Sequence, residues 1–210
     1  MNLEIRELPA KWQWIQLREI CEINPRRPSN LKRTDDSQTT FVPMVAVDDT
    51  TGAIQNASIR PYGEIKKGYT YFAEGDVLFA KITPCMENGK HAVAKGLIDG
   101  IGFGSAEFHV LRPHSGLLAE WLHLFLRQPS VLFEAVSHFT GAVGQQRVPP
   151  KFLAELEIPL PSLLEQKRIA AILTDQLAAV ERARKAAEEQ LKVINALPAA
   201  ILSQAFTGNF

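Results

Sequence analysis

The chain has 210 residues, 46% hydrophobic and 22% charged, which suits one large globular domain or one domain plus an extension. Its formal net charge is zero, so no overall basic field announces a nucleic-acid partner. No apolar run approaches the roughly 20 residues that span a bilayer, Cys21 and Cys85 form no CxxC pair, and the charged opening MNLEIRELPAKW lacks an apolar core, so the chain reads as cytoplasmic with two free thiols.

In chain order, WQWIQLREIC (12–21) reads as a short amphipathic helix or turn, stopped by the prolines of NPRRPSN. Residues 31–40 are polar and read as loop. FVPMVAV (41–47) reads as a strand, with Pro43 pointing to an edge or irregular position. DDTTG is a turn, and 53–67 is a mixed segment with a Pro-Tyr-Gly breaker. YTYF, VLFAKI (77–82), HAVA and AEFHVL read as strands around the loop TPCMENGK. LLAEWLHLFLRQ has helical period, and Pro129 opens a second helix, where a proline is favourable. TGAVGQQRVPP is a loop, KFLAEL a short helical piece, and LEIPLP a strand.

The stretch 162–197 then predicts a helix roughly 50 Å long at 1.5 Å per residue. Ser162 and Glu165 have the spacing of a capping box. Ile169, Leu173, Leu177, Val180, Ala187, Leu191 and Ile194 recur at helical spacing, interrupted by Arg184. Such a stripe either folds back on its own domain or meets another helix. A last amphipathic piece begins around Pro198. The fold expected is α+β: a mixed β/α domain over 1–160, followed by a helical region over 161–210.

Catalytic patterns are thin. The glycines of DGIGFG are followed by a strand-like segment, whereas a phosphate-cradling loop needs a helix there. No Walker loop, adenine-methyltransferase motif or nucleophile elbow is present. Asp48, Asp49 and Glu64-Ile65-Lys66 have the residue types of a metal-dependent nuclease site, but E-x-K is common and charged residues mostly stay solvated. The five histidines show no ligand spacing, so neither a metal nor another cofactor is expected. What remains is two loops mixing cations, amides, hydroxyls and glycine. Lys81, Thr83, Asn88 and Lys90 flank the first; Thr140, Gly141, Gln145, Gln146 and Arg147 make the second. Lys and Arg neutralise phosphates, and Gln and Asn can pair with adenine edges. Solvated loops with turn glycines have the same composition.

The run from Ile158 to Ile169, IPLPSLLEQKRI, resembles the conserved entrance to the spacer helix of type I restriction–modification specificity (S) subunits, with Ser162 at the place of a commoner second proline. WQWIQLREICEINP is similar to the start of that family's target-recognition domain. GDVLFAKITPCMENGK, GFGSAEFHVLRP and TGAVGQQRVPPKFL are similar to segments within one class of those domains, and ILSQAFTGNF to the close of a conserved helical region. The resemblance implies a subunit that binds double-stranded DNA, has no catalytic site of its own, and positions methyltransferase (M) subunits acting on adenine N6 together with restriction (R) subunits. Typical S subunits carry two recognition domains and two antiparallel spacer helices. This chain has one of each, so it resembles a half-length form. By that resemblance, the stripe Ile169, Leu173, Leu177, Val180, Ala187, Leu191 and Ile194 becomes a homodimer interface, an antiparallel coiled coil, and the target a palindromic bipartite site. Arg184 would then pair with Glu181 or Glu188 of the second copy. The alternatives at this point are a nuclease using Asp48, Asp49 and Glu64, and a scaffold or decoy that docks on M without reading DNA.

Overall fold

The computed structural model describes residues 8–142 and 144–208. Residues 1–7 of the charged opening and the last two residues of TGNF lie outside them. Two compact units divide the chain, Met1–Ala170 and Ala171–Phe210.

In the first unit, β1 (Gln13–Gln16), one helical turn α1 (Leu17–Ile20) and β2 (Cys21–Ile23) follow one another without a break. The opening is thus mostly extended rather than one short helix, because β1 finds a partner far along the chain in β10 (Glu157–Leu160). Next come β3 (Gln38–Val42), β4 (Ser58–Pro61), the turn α2 (Tyr62–Ile65), β5 (Thr70–Ala73), β6 (Val77–Ala80), β7 (His91–Val93), β8 (Ile101–Gly104) and β9 (Phe108–Pro113). The strand expected over 41–47 stops at Val42. Pro43 has no N–H for the ladder, and Met44–Ala46 wind into a 3-10 turn. Glu64, in the segment read as mixed, stands in α2.

Two four-stranded sheets form, ordered β2-β9-β6-β7 and β4-β3-β8-β5. The first is antiparallel throughout. The second contains one parallel pair, β3 with β8. β6 explains how they stack. All four of its residues are buried, but to opposite faces: Leu78 and Ala80 join Val42, Phe72 and Val110 between the sheets, while Val77 and Phe79 join a core built with helices. That two-sided burial is why VLFA is an uninterrupted apolar run. The helices on the second face are α3 (Ala119–Leu126), α4 (Pro129–Ser137) and α5 (Pro150–Glu155), contributing Trp121, Leu122, Val131, Ala135 and Leu153.

Gly100 of DGIGFG closes a 3-10 turn, and Gly102 and Gly104 are strand residues of β8. A Cβ on Gly102 would lie 2.4 Å from the Phe72 ring, and one on Gly104 2.5 Å from the Val42 carbonyl oxygen. They allow close packing of backbone against neighbour, not the cradling of a phosphate.

α6 (Leu163–Phe206) runs as one helix through Pro198, where a separate piece was expected. Proline removes one N–H, and the Ile194 carbonyl it leaves unpaired lies on an exposed helix that water can reach, amid good helix formers. Ser162 caps the start: its Oγ accepts the Glu165 N–H at 3.4 Å. The reciprocal half of a capping box is missing, because the Glu165 carboxylate takes two bonds from Arg168 at 2.7 and 2.8 Å. The first turns are bound to the β/α unit by Gln166, which is fully buried. Its Oε1 accepts the Leu118 N–H at 2.8 Å, and its Nε2 donates to the Gly116 and Pro161 carbonyls, both at 3.0 Å. Leu118 is the N-cap of α3, so one amide satisfies backbone groups of two elements. Trp121 adds a bond from Nε1 to the Pro159 carbonyl at 3.0 Å, and Trp12 packs edge-on against its ring. No helix among the described residues is long and apolar enough to cross a membrane.

Candidate nucleic-acid interface

The two candidate loops, about sixty residues apart in sequence, meet in the structure. Thr83 N–H donates to the Gln146 carbonyl at 3.1 Å, and Val148 N–H to the Lys81 carbonyl at 2.9 Å. Ile82 and Arg147 form an antiparallel bridge. Each loop has an apolar anchor, Met86 in the first and Val148 after the second, and both are buried in the core shared with the helices. His109 on β9 pins the second loop: its Nε2 donates to the Val148 carbonyl at 2.8 Å, which leaves Nδ1 to accept from the Asn24 amide at 3.0 Å. Asn24 also accepts the Val110 N–H through Oδ1. It lies at positive φ just before Pro25, a turn geometry that Asn tolerates. Burial holds the His109 pKa below its ordinary value, consistent with a neutral ring in this role.

The second loop folds on itself. Thr140 and Arg147 exchange backbone bonds at 3.0 and 2.9 Å. Gly141 sits at φ +109°, where a Cβ would come within 3.1 Å of the Gln145 carbonyl oxygen. Arg147 makes a two-pronged pair with Glu107, at 2.8 and 2.7 Å, and donates to the Gln145 carbonyl at 2.9 Å. Those bonds hold Glu107 below the usual carboxylate range. Glu107, which the sequence reading missed, orients the guanidinium from 40 positions away in sequence and leaves no local pattern to find it by.

Thr140, Gly141, Gln145 and Asn88 are exposed, and Lys81, Thr83, Gln146 and Arg147 half-buried beside them. Lys90 is used internally: its ammonium donates to the Val47 carbonyl at 2.7 Å and ties the first loop to the turn after β3. The acidic trio does not assemble. Asp48 accepts the Thr51 N–H at 2.6 Å and its hydroxyl at 2.7 Å, closing a local turn. Among the described residues, no group of three or more His, Cys, Asp or Glu could hold a metal ion.

In Ala171–Phe210 the stripe is open to solvent: Leu177, Val180, Leu191 and Ile194 are 55–65% exposed. Ile169, expected in that stripe, instead packs against the core of the first unit. Within its own helix Arg184 makes two bonds to Glu181 at 2.8 Å and one to Glu188.

Residues 9–190 match the type I restriction modification DNA specificity domain. The chain belongs to that family. The EcoEI specificity subunit of Escherichia coli is 43% identical over 179 residues, 81% of this chain and 30% of the relative. A solved structure described as the structural basis underlying complex assembly and conformational transition of the type I R-M system has a TM-score of 0.68 and 27% identity, covering 99% of this chain and 49% of that one. The HsdS subunit of Thermoanaerobacter tengcongensis shares the fold, with a TM-score of 0.69 over 92% of this chain and 50% of its own. The chain thus spans 30% of that curated relative and about half of each solved chain. Within a specificity domain the α+β fold and the long closing helix are the expected architecture, and Gln166 gives the EQK of the entrance motif a physical role.

Proposed function

We propose that this chain is the DNA-reading, non-catalytic subunit of a type I restriction–modification assembly in the cytoplasm, binding a bipartite, palindromic site and positioning M and R subunits there. The observation that carries the reading is the meeting of the loops 81–90 and 140–147 within a domain of the specificity family. Exposed amides and hydroxyls beside Lys81 and Arg147 suit base edges and phosphates. In this division residues 1–160 read DNA and 161–210 form the spacer. A second copy covers the stripe Leu173, Leu177, Val180, Ala187, Leu191 and Ile194 in an antiparallel coiled coil. The exposure of the stripe in Ala171–Phe210 supports that partner. Two-fold symmetry then yields two identical half-sites.

The test is methylation by the M subunit with and without this chain. The reading expects modification of a symmetric, gapped site only when the chain is present. The same site methylated by M alone contradicts it, as does an M complex with this chain that shows no sequence preference, which is the scaffold outcome.

A further inference from the structure

The outer face of the second sheet carries an aromatic layer with cations over it. Phe41, Tyr62 and Phe103 are buried there with Ile65, and Leu31 and Tyr71 pack against them. Tyr69 stands edge-on to Phe41 at 4.8 Å and is 41% exposed. The Arg60 guanidinium lies over the Phe41 ring at 4.4 Å. Arg27 donates to the Tyr62 hydroxyl at 3.1 Å and to the Lys66 carbonyl at 2.9 Å. The segment 24–37 is thereby held against β4 and α2.

Together, residues 24–37 and 58–70 hold seven cations against three carboxylates, in a chain of zero net charge. Two of the cations are neutralised, Arg33 by Asp99 and Lys66 by Asp35. Arg26, Arg27, Lys32, Arg60 and Lys67 have no carboxylate partner among the described residues. Arg27 bonds only neutral oxygens, so its charge is uncompensated. β4 and β3 are antiparallel, with Pro61 opposite Gln38. α2 therefore stands by the start of β3, while Val47, which Lys90 ties to the first candidate loop, follows its end. Arg60, opposite Thr39, lies by that start.

We propose that this face is a second DNA contact, a sequence-independent phosphate surface formed by Arg26, Arg27, Lys32, Arg60 and Lys67. It rests on the reading that the chain binds DNA and adds a division of labour. The paired loops read bases, and the basic face grips the backbone of flanking duplex. Nucleic-acid phosphate is favoured over an acidic protein because two of the cations, Arg27 and Arg60, stand over the rings of Tyr62 and Phe41, with Tyr69 exposed beside Phe41. Phosphate binding releases condensed counterions, so each contact contributes about 0.9 to the slope of log K against log salt.

The experiment titrates the full chain onto duplex DNA between 50 and 200 mM salt, with R26Q/R60Q/K67Q compared against the control K151Q/K167Q/K192Q, which removes equal charge elsewhere. The basic-face variant is expected to lower the slope by about 3, with the methylated sequence in the M complex unchanged. The control is expected to leave the slope within about one contact of wild type. Equal slopes for wild type and the basic-face variant overturn the proposal, and so do equal losses in both variants, which would reflect net charge alone. An unchanged slope with weakened M assembly reassigns the face to a protein and also overturns it. Failure of the wild type to bind DNA at any salt overturns the DNA-reading assignment itself, a different result from all of these.

Discussion

Gly52 shows how closely one residue can constrain this domain. It sits at φ +68°, and a Cβ there would lie 1.9 Å from Arg127 Nη1 and 2.6 Å from His123 Nε2. Arg127 is not free to move aside, since its Nη2 donates to the Asp49 and Thr50 carbonyls at 3.0 and 2.6 Å. Gly52→Ala should cost roughly 2–4 kcal/mol from backbone strain and overpacking together, read as a lower denaturant midpoint with an unchanged slope. His123 and His91 in the same cluster set a pH dependence. His123 donates from Nε2 to the His91 carbonyl at 2.8 Å, and burial lowers its pKa from 6.5 to about 4. Burial also drives His91 well below 6.5, with its Nδ1 accepting the Ala80 N–H. Both pKa values are depressed in the folded state, so the unfolded chain binds more protons as pH falls. The His123 contribution is complete above pH 6.5 and is lost as the pH drops toward about 4, and His91 acts in the same direction. Denaturation midpoints should fall across that window, and His123→Gln, which keeps a donor but does not titrate, should flatten the fall. At the candidate loops, Glu107→Gln removes the charge that orients Arg147. It should weaken sequence-dependent binding with little change in fold stability, whereas equal binding to all duplexes before and after the change would show that Arg147 reads nothing.

Gln166 joins the long helix to the β/α unit. Gln166→Ala leaves the Leu118 N–H and the Gly116 and Pro161 carbonyls without their partner, which should cost about 2–3 kcal/mol. Thermal unfolding followed by circular dichroism checks this, and a midpoint unchanged from wild type would show that the amide is dispensable. Much of this level was readable beforehand. VLFA, HAVA, AEFHVL and the α3 to α5 segments lie where apolar pattern and proline placement put them, because their burial follows the local period. The long helix was equally legible from its spacing. The opening was not: WQWIQLREIC has helix-like composition, and only pairing with β10 makes its first half a strand. Pro198 misled in the other direction, since exposed backbone in a helix of good formers tolerates a missing N–H. At the candidate interface the composition of each loop was visible, but their meeting was not. The bonds from Thr83 to Gln146 and from Lys90 to Val47 join segments with no shared local signal.

At the scale of the whole molecule, the account depends on whether the open stripe of α6 finds a second copy. Leu177→Asp would place a charge in the proposed apolar seam, and we expect the proposed homodimer, followed by light scattering, to give way to a monomer while the β/α unit stays folded. A wild type that remains monomeric at every concentration, alone and with M, would remove the coiled-coil interface. The central claim, that this domain reads DNA for a methyltransferase, has a more direct measurement: mapping N6-methyladenine across the host chromosome with the gene intact and deleted. The account predicts one palindromic, gapped sequence methylated on both strands, which disappears on deletion. Methylation unchanged by the deletion would contradict it.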